Sequence, residues 1–195
     1  MNLLILPAFH HEANRRATCR YCPPANAARE HFEGLTRYVE SFARRPLLAA
    51  FVQSKNTEGI RAHLKDLVTQ HGSLDRAFIT DPRGRLWYDY PHAPEVIGQD
   101  FSFRDWYRGV SGTQTTYVFE VYQRAAPPQP YLVAIATPIR NARQQPLGYL
   151  VAQHTLATLT DWLAEVRPSR GGAVALIVRD QGRRPAPALP GIRPA

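Results

Sequence analysis

The spacing of the hydrophobic residues changes once along the chain, near residue 75. Before that point apolar residues recur three or four positions apart, which is the spacing of one helical face. In "AAREHFEGLTRYVESFARRP", which starts at Ala27, this repeat predicts a long helix that Pro46 interrupts. After residue 75 the chain consists of short apolar segments separated by turns, as is typical of strands. Helices followed by strands favour a sheet with helices packed on it.

The remaining helices and the strands follow from the same patterns. "LLAAFVQ" predicts a short helix, and "NTEGIRAHLKDLVTQHG" predicts a second amphipathic helix that Asn56 or Thr57 caps. "RAFIT" and "RLWYDY" predict a hairpin around the type I turn "DPRG". Three further strands are "QTTYVFEVYQ", "PYLVAIATPIR" and "PLGYLVAQHT", and "LATLTDWLAEV" predicts a closing helix. The sequence therefore predicts an α+β fold, with a central antiparallel sheet of about five strands behind a long N-terminal helix.

The segment "SFRDWYRG" between the hairpin and these strands predicts a short helix. Ser102 and Asp105 have the spacing of a capping box at its N-terminus. Helical spacing places Trp106 and Tyr107 on one face with Phe103 and Val110, and we expect the last two to be core residues. Aromatic rings beside Arg104 either pack in the core or form the wall of a pocket for a small charged molecule.

The formal net charge of +8 is concentrated at the two ends of the chain. Residues 1–45 contribute +3, residues 46–165 are balanced, and residues 166–195 contribute +5. We therefore predict a loose tail over 1–26, a globular domain over 27–166 and an Arg- and Pro-rich end over 167–195. In that end "GAVALIVRDQGR" echoes the earlier hairpin and could start a second, truncated module. An alternative function is binding of nucleic acid or anionic lipid through the basic ends, although scattered tail arginines make nucleic acid a less favoured partner.

Cys19 and Cys22 form a C-x-x-C pair, which suggests a redox centre or half of a zinc site. A zinc site needs four ligands and the chain has no second cysteine pair, while no βαβ pattern surrounds this one. An incidental pair or a local disulfide is favoured, and no metal or cofactor is predicted. The chain contains no common catalytic motif, so no catalytic residue is predicted. It also contains no apolar run of membrane-spanning length and no convincing signal peptide.

Five motifs in order resemble the Cache family of sensor domains: the "DPRGR" hairpin, "GQDFSFRDWYRG", "YVFEVY", "ATPIR" and "PLGYLVAQHTLATL". The chain is most similar to the membrane-distal module of double Cache domains, over roughly 29–166. The resemblance implies a PAS-like sheet and ligand sensing on the extracytoplasmic side of the bacterial membrane, as in chemoreceptors, sensor histidine kinases and diguanylate cyclases. It also implies a membrane-anchored receptor with a cytoplasmic output domain, which this sequence does not show, and a homodimer through the long helix.

The resemblance further implies a site for a small organic anion or an amino-acid-like ligand. One branch of the family grips a ligand carboxylate with Arg-x-Trp-Tyr, matched here by Arg104, Trp106 and Tyr107. Tyr122 matches a tyrosine on the next strand, which Tyr117 opens. Two positions depart from the branch: Gln99 replaces a tyrosine, and Gln153 replaces the aspartate that binds the ligand ammonium group. The predicted ligand-binding residues are Arg104, Trp106, Tyr107, Tyr117, Tyr122 and Gln153.

The chemistry of these residue types agrees with such a site. Arginine binds a carboxylate through two parallel hydrogen bonds. Gln153 lies among apolar residues, where a buried amide needs a partner such as a ligand or a tyrosine hydroxyl. His154 points to the opposite face of its strand. The alternatives remain open: Trp106 as a core residue, Arg104 as a structural partner of Asp100 or of a helix-end carbonyl, and Tyr122 as a cross-strand packing residue.

Overall fold

The helices of the first half lie where the hydrophobic spacing predicts them. The computed structural model describes residues 4–8, 23–118, 121–124, 128–158, 161 and 173–177. Three helices follow one another: α1 (Pro23–Ala43), α2 (Pro46–Ser54) and α3 (Thr57–Thr69). Asn56 caps α3, and its side chain accepts a hydrogen bond from the backbone N–H of Gly59 at 3.0 Å. Helix α1 begins four residues before the predicted start, since Pro23 fits the first turn of a helix, where no N–H partner is needed.

A six-stranded antiparallel sheet forms the centre of the molecule, which confirms the predicted α+β class. Its strand order is β3-β2-β7-β6-β4, with β5 also paired to β6. The predicted strand over 114–123 divides into two strands of two residues each, so the sheet has six strands and not five. The strands are β2 (Arg76–Thr80), β3 (Leu86–Tyr90), β4 (Tyr117–Val118), β5 (Tyr122–Gln123), β6 (Tyr131–Arg140) and β7 (Pro146–Thr155).

The two faces of the sheet bury different layers. Helices α1, α2 and α3 cover one face, where Val133 and Ile135 of β6 pack among the helix side chains. The other face carries Leu132 and Ala134 of β6 and is covered by a short helix, α4 (Asp105–Thr113). Adjacent residues of a strand point to opposite faces, so the alternation in β6 and β7 decides which side chains can reach a site under α4.

Helix α4 begins later than predicted, and the capping box is not formed. Its N-cap residue is Arg104, which has no side-chain cap hydrogen bond. The backbone N–H of Ser102 instead donates to the Asp100 carboxylate at 2.8 Å, a turn that competes with helix formation at this point. Phe103 consequently lies before the helix and is 42% exposed, so the expectation that it is a core residue is wrong. Val110 is fully buried, as expected.

A separate two-stranded sheet joins parts of the two ends of the chain. Strand β1 (Leu4–Ala8) pairs antiparallel with β8 (Ala173–Ile177). The sequence pattern predicts a strand in the second segment, but it treats the first as a loose tail. Whether residues 167–195 start a second module stays a prediction. Within the described parts of the chain, none of the helices combines the length and the apolar character of a membrane span.

Candidate ligand-binding site

The backbone before α4 is fixed to the β2–β3 hairpin, and this places the start of α4 over the sheet. Gly98 N–H donates to the carbonyl of Leu86 at 2.8 Å, and Phe101 N–H donates to that of Gly84 at 2.9 Å. Trp106, in the first turn of α4, is 1% exposed and packs edge-on against Phe78 of β2 with ring centroids 5.6 Å apart. Trp106 is thus a core residue, and it also lines the cavity beside α4.

Arg104 reaches from the start of α4 into the space between the helix and the sheet. Its guanidinium carbon lies 5.3 Å from the centre of the Tyr122 ring and 5.2 Å from that of Phe103. Its Nε atom is buried and has no hydrogen-bond partner in the described structure. No described carboxylate forms an ion pair with Arg104, so the predicted alternative of a pair with Asp100 is not formed. Burial lowers the pKa of Arg104 from its usual value, but a guanidinium stays charged at neutral pH.

A buried hydrogen-bond chain faces Arg104 from the sheet. Gln153 of β7 donates from Nε2 to the Tyr122 hydroxyl at 2.9 Å and accepts a hydrogen bond from Arg124 Nε at 3.0 Å. Arg124 also forms an ion pair with Asp75. Burial raises the pKa of Tyr122 to about 12, so this hydroxyl is protonated at neutral pH. The expectation that a tyrosine hydroxyl satisfies the Gln153 amide is confirmed.

A third arginine completes the floor of the site. Arg76 of β2 pairs in register with Gln153 and points to the same face of the sheet as Phe78. Its Nη1 donates to the Asp89 carboxylate at 2.8 Å, and the side chains of the two residues are 9% and 0% exposed. His154 points to the opposite face, which α1, α2 and α3 cover, as strand alternation predicts. Its Nδ1 hydrogen-bonds to the Ser73 carbonyl.

Together these side chains line a partly open cavity of about 30 Å³. This volume is comparable to that of one water molecule. Four of the six predicted residues, Arg104, Trp106, Tyr122 and Gln153, line it. The other lining residues are Arg76, Phe78, Leu86, Val96, Phe101 and Arg124. A ligand larger than water can enter only if part of this lining moves.

Tyr107 and Tyr117 lie outside this lining. The Tyr107 hydroxyl donates to the carbonyl of Pro82 at 3.0 Å, so this ring ties α4 to the hairpin turn. Tyr117 pairs in register with Ala136, and its ring lies directly against Gly109 of α4. The structure thus gives both rings a packing position, and their assignment to ligand binding rests on the resemblance alone.

Sequence reasoning missed Arg76 and Arg124. Arg76 had a usable signal, because in "RAFIT" it shares a strand face with Phe78, and a charged residue on a buried face is unusual. Arg124 follows a two-residue strand and gives no local signal. Its partners Asp75 and Gln153 are 49 and 29 positions away in the chain.

A larger cleft of about 570 Å³ lies elsewhere, between α1 and the β4 edge of the sheet. Here the Thr116 hydroxyl bonds to Glu40 Oε1 at 2.5 Å and to the Thr137 hydroxyl at 2.9 Å. Arg44 and Arg140 also line the cleft, and none of the predicted ligand-binding residues does. Cys19 and Cys22 lie outside the described residues, and the described residues contain no group of three or more metal-binding side chains.

Solved structures with the same architecture include ligand-binding domains of bacterial chemoreceptors. The domain of Pseudomonas fluorescens CtaA, solved with L-valine, has a TM-score of 0.61 and 22% identity over 76% of this chain and 63% of its own. The domain of Pseudomonas aeruginosa PctC, solved with GABA, has a TM-score of 0.59 and 24% identity over 72% of this chain and 62% of its own. The domain of PctB from the same species, solved with L-Gln, has a TM-score of 0.58 and 18% identity over 72% of this chain and 54% of its own.

The chain has the fold of a chemoreceptor ligand-binding domain. These domains are Cache-type sensors, so the predicted Cache-type, PAS-like fold is confirmed. The chain spans between 54% and 63% of the length of the three domains. No family model and no curated protein matches its sequence. The Cache-type fold does not favour the alternative of a nucleic-acid- or lipid-binding protein.

Proposed function

We propose that this domain is the small-molecule sensor of a signal-transduction protein and binds a small organic anion through Arg104. The observation that carries the proposal is the Arg104 guanidinium, which lines a cavity with a buried Nε and no hydrogen-bond partner for it. A buried donor without a partner costs about 1–3 kcal/mol, and a ligand carboxylate would remove that cost. Trp106, Tyr122 and Gln153 supply the remaining wall.

The ligands of the similar domains agree with this chemistry. CtaA was solved with L-valine and PctC with GABA, and both molecules carry a carboxylate. That this chain also binds a carboxylate is part of the proposal. That it has no enzymatic activity is proposed as well. Because the cavity is now about 30 Å³, ligand entry requires the side chains on its rim to move apart. Tyr122 belongs to a strand of two residues, so its displacement breaks few backbone hydrogen bonds.

Thermal-shift screening followed by calorimetric titration tests the proposal. We expect small carboxylates to raise the melting temperature of the domain, because a ligand that binds the folded state alone stabilises it. Arg104→Ala should weaken binding of a positive compound at least tenfold, since it removes charge-assisted hydrogen bonds of about 1.5–3 kcal/mol each.

The matched control is Arg108→Ala, one helical turn further along α4. Arg108 is 63% exposed and forms an ion pair with Asp105 at 3.7 Å, so its removal should leave the affinity unchanged. The proposal fails if no carboxylate binds, or if Arg104→Ala binds a positive compound as tightly as the unmodified protein does.

We further propose that the domain acts on the extracytoplasmic side of a membrane-anchored receptor and dimerises through α1. The exposed positions of α1 in the described part, Arg29, Glu30, Glu33, Arg37 and Ser41, are all polar. Such a face supports a weak, salt-dependent association and not an obligate dimer. Sedimentation velocity at two salt concentrations tests this, and a monomer at every protein concentration would contradict it.

A further inference from the structure

Three guanidinium groups line the cavity, and two of them already have a counter-ion. Arg76 forms an ion pair with Asp89, and Arg124 forms one with Asp75. Neither carboxylate belongs to the lining. The charged side chains of the described lining are therefore all arginines, and the Arg104 charge is not balanced by a described ion pair.

The two side-chain acceptors of the lining each already accept one hydrogen bond. Gln153 Oε1 accepts from Arg124 Nε at 3.0 Å, and the Tyr122 hydroxyl oxygen accepts from Gln153 Nε2 at 2.9 Å. A ligand ammonium group carries three donors and a positive charge, and needs acceptors or a carboxylate around it. Among the described residues of the lining it would meet no carboxylate, and the Gln153 oxygen already faces the Arg124 guanidinium. A ligand carboxylate needs donors, which Arg104 supplies.

We propose, as a refinement of the function proposed above, that the ligand is a small carboxylate without an ammonium group and that Arg124 excludes amino acids. Arg124 performs this exclusion in two ways. It places a positive charge in the cavity wall, and it already pairs with Asp75 Oδ2 and donates to Gln153 Oε1, so the Asp75 charge is balanced before any ammonium group arrives. Because its side chain is 9% exposed, little water screens the repulsion.

Matched pairs of ligands that differ in one ammonium group test this inference. Calorimetric titration would compare 3-methylbutanoate with L-valine, and butanoate with GABA. We expect the plain carboxylate of each pair to bind at least tenfold more tightly. The inference is overturned if either amino acid binds as tightly as its partner or more tightly, and in that case the proposed function survives. If no member of either pair binds, the proposed function and this inference fail together.

Substitutions in the cavity wall test whether Arg124 is the residue that excludes the ammonium group. Arg124→Gln removes the charge and leaves the Asp75 carboxylate without its counter-ion, so the ratio of the two affinities should fall from tenfold or more to about one. Arg108→Gln on the exposed side of α4 should leave the ratio unchanged. If Arg124→Gln does not fold, Gln153→Asp provides the second test, because it adds a carboxylate to the lining and should improve amino-acid binding relative to the plain carboxylate. A ratio that neither folded variant changes would contradict the role of Arg124.

Discussion

Asp89 is a buried carboxylate that holds one arginine of the cavity floor in place. It accepts hydrogen bonds from Arg76 Nη1 at 2.8 Å and from the Ala93 backbone N–H at 2.9 Å, and His92 Nδ1 lies 2.9 Å from its other oxygen. Asp89→Asn leaves Arg76 buried without a counter-ion. Breaking a buried ion pair in this way costs about 3–5 kcal/mol. We expect a loss of this size in the free energy of unfolding, measured by urea denaturation.

Asp105→Asn is the control for the Asp89 substitution. Asp105 forms its ion pair with Arg108 at 3.7 Å, with side chains that are 39% and 63% exposed. Water screens such a pair, so the expected loss is below about 1 kcal/mol. Equal losses in the two variants would show that Asp89 contributes no more than a surface charge does.

Individual site residues were predictable only where a local pattern marked them. The aromatic and basic spacing of one short helix indicated Arg104 and Trp106, and an amide among apolar residues indicated Gln153. Arg124 was not predictable, because its role depends on pairing with Asp75, which lies 49 positions away and precedes a different strand. Distant contacts of this kind are set by the topology of the sheet, to which a single sequence gives no direct access.

Strands β2 and β7 approach each other closely where Gly148 faces the end of β2. A methyl group added at Gly148 would lie 2.1 Å from the Thr80 carbonyl oxygen, which is backbone and cannot rotate away. A glycine in a strand often marks such a close backbone approach. Gly148→Ala must therefore push the two strands apart. We expect a loss of about 2–3 kcal/mol or more in the free energy of unfolding, as for overpacked cores.

Gly34→Ala in α1 is the matched control for the same change of side chain. A methyl group there meets no atom within 4 Å. Alanine in a helix is favoured over glycine by about 0.5–1 kcal/mol, so this variant should be slightly more stable than the unmodified protein. If Gly148→Ala is also neutral or stabilising in urea denaturation, the described approach of β2 and β7 is wrong.

Secondary-structure elements were more predictable than their ends. Strands β2 and β7 have the predicted bounds, because each is a short, nearly continuous buried run bracketed by turn residues. The start of α4 was wrong, since the Asp100 carboxylate binds the Ser102 N–H and delays the helix. The strand predicted from Gln114 starts only at Tyr117, because Gln114 ends α4 in a left-handed conformation.

Three histidines lie near one another where the long helix packs on the sheet. The ring of His31 in α1 lies 5.4 Å from that of His154 in β7, and His71 follows the end of α3. Burial, together with the neighbouring His154 and His71, lowers the pKa of His31 to about 4. Burial also lowers the pKa of His154 and of His71, although Asp75 acts in the opposite direction on His154. The packing of α1 therefore requires neutral histidines.

This requirement predicts that the whole domain loses stability on mild acidification. Unfolded histidines bind protons near pH 6.5, whereas His31 in the folded protein does so only near pH 4. Between these values the unfolded state binds more protons, so the free energy of unfolding falls as the pH falls from 6.5 toward 4 and is fully retained above 6.5. Urea denaturation at pH 7.5 and 5.0 measures the difference. His31→Gln should reduce this difference in the free energy of unfolding. The control is His63→Gln, since His63 lies on α3 against Phe51, and this variant should leave the difference unchanged. An unchanged pH dependence in His31→Gln would mean that acid acts elsewhere in the molecule.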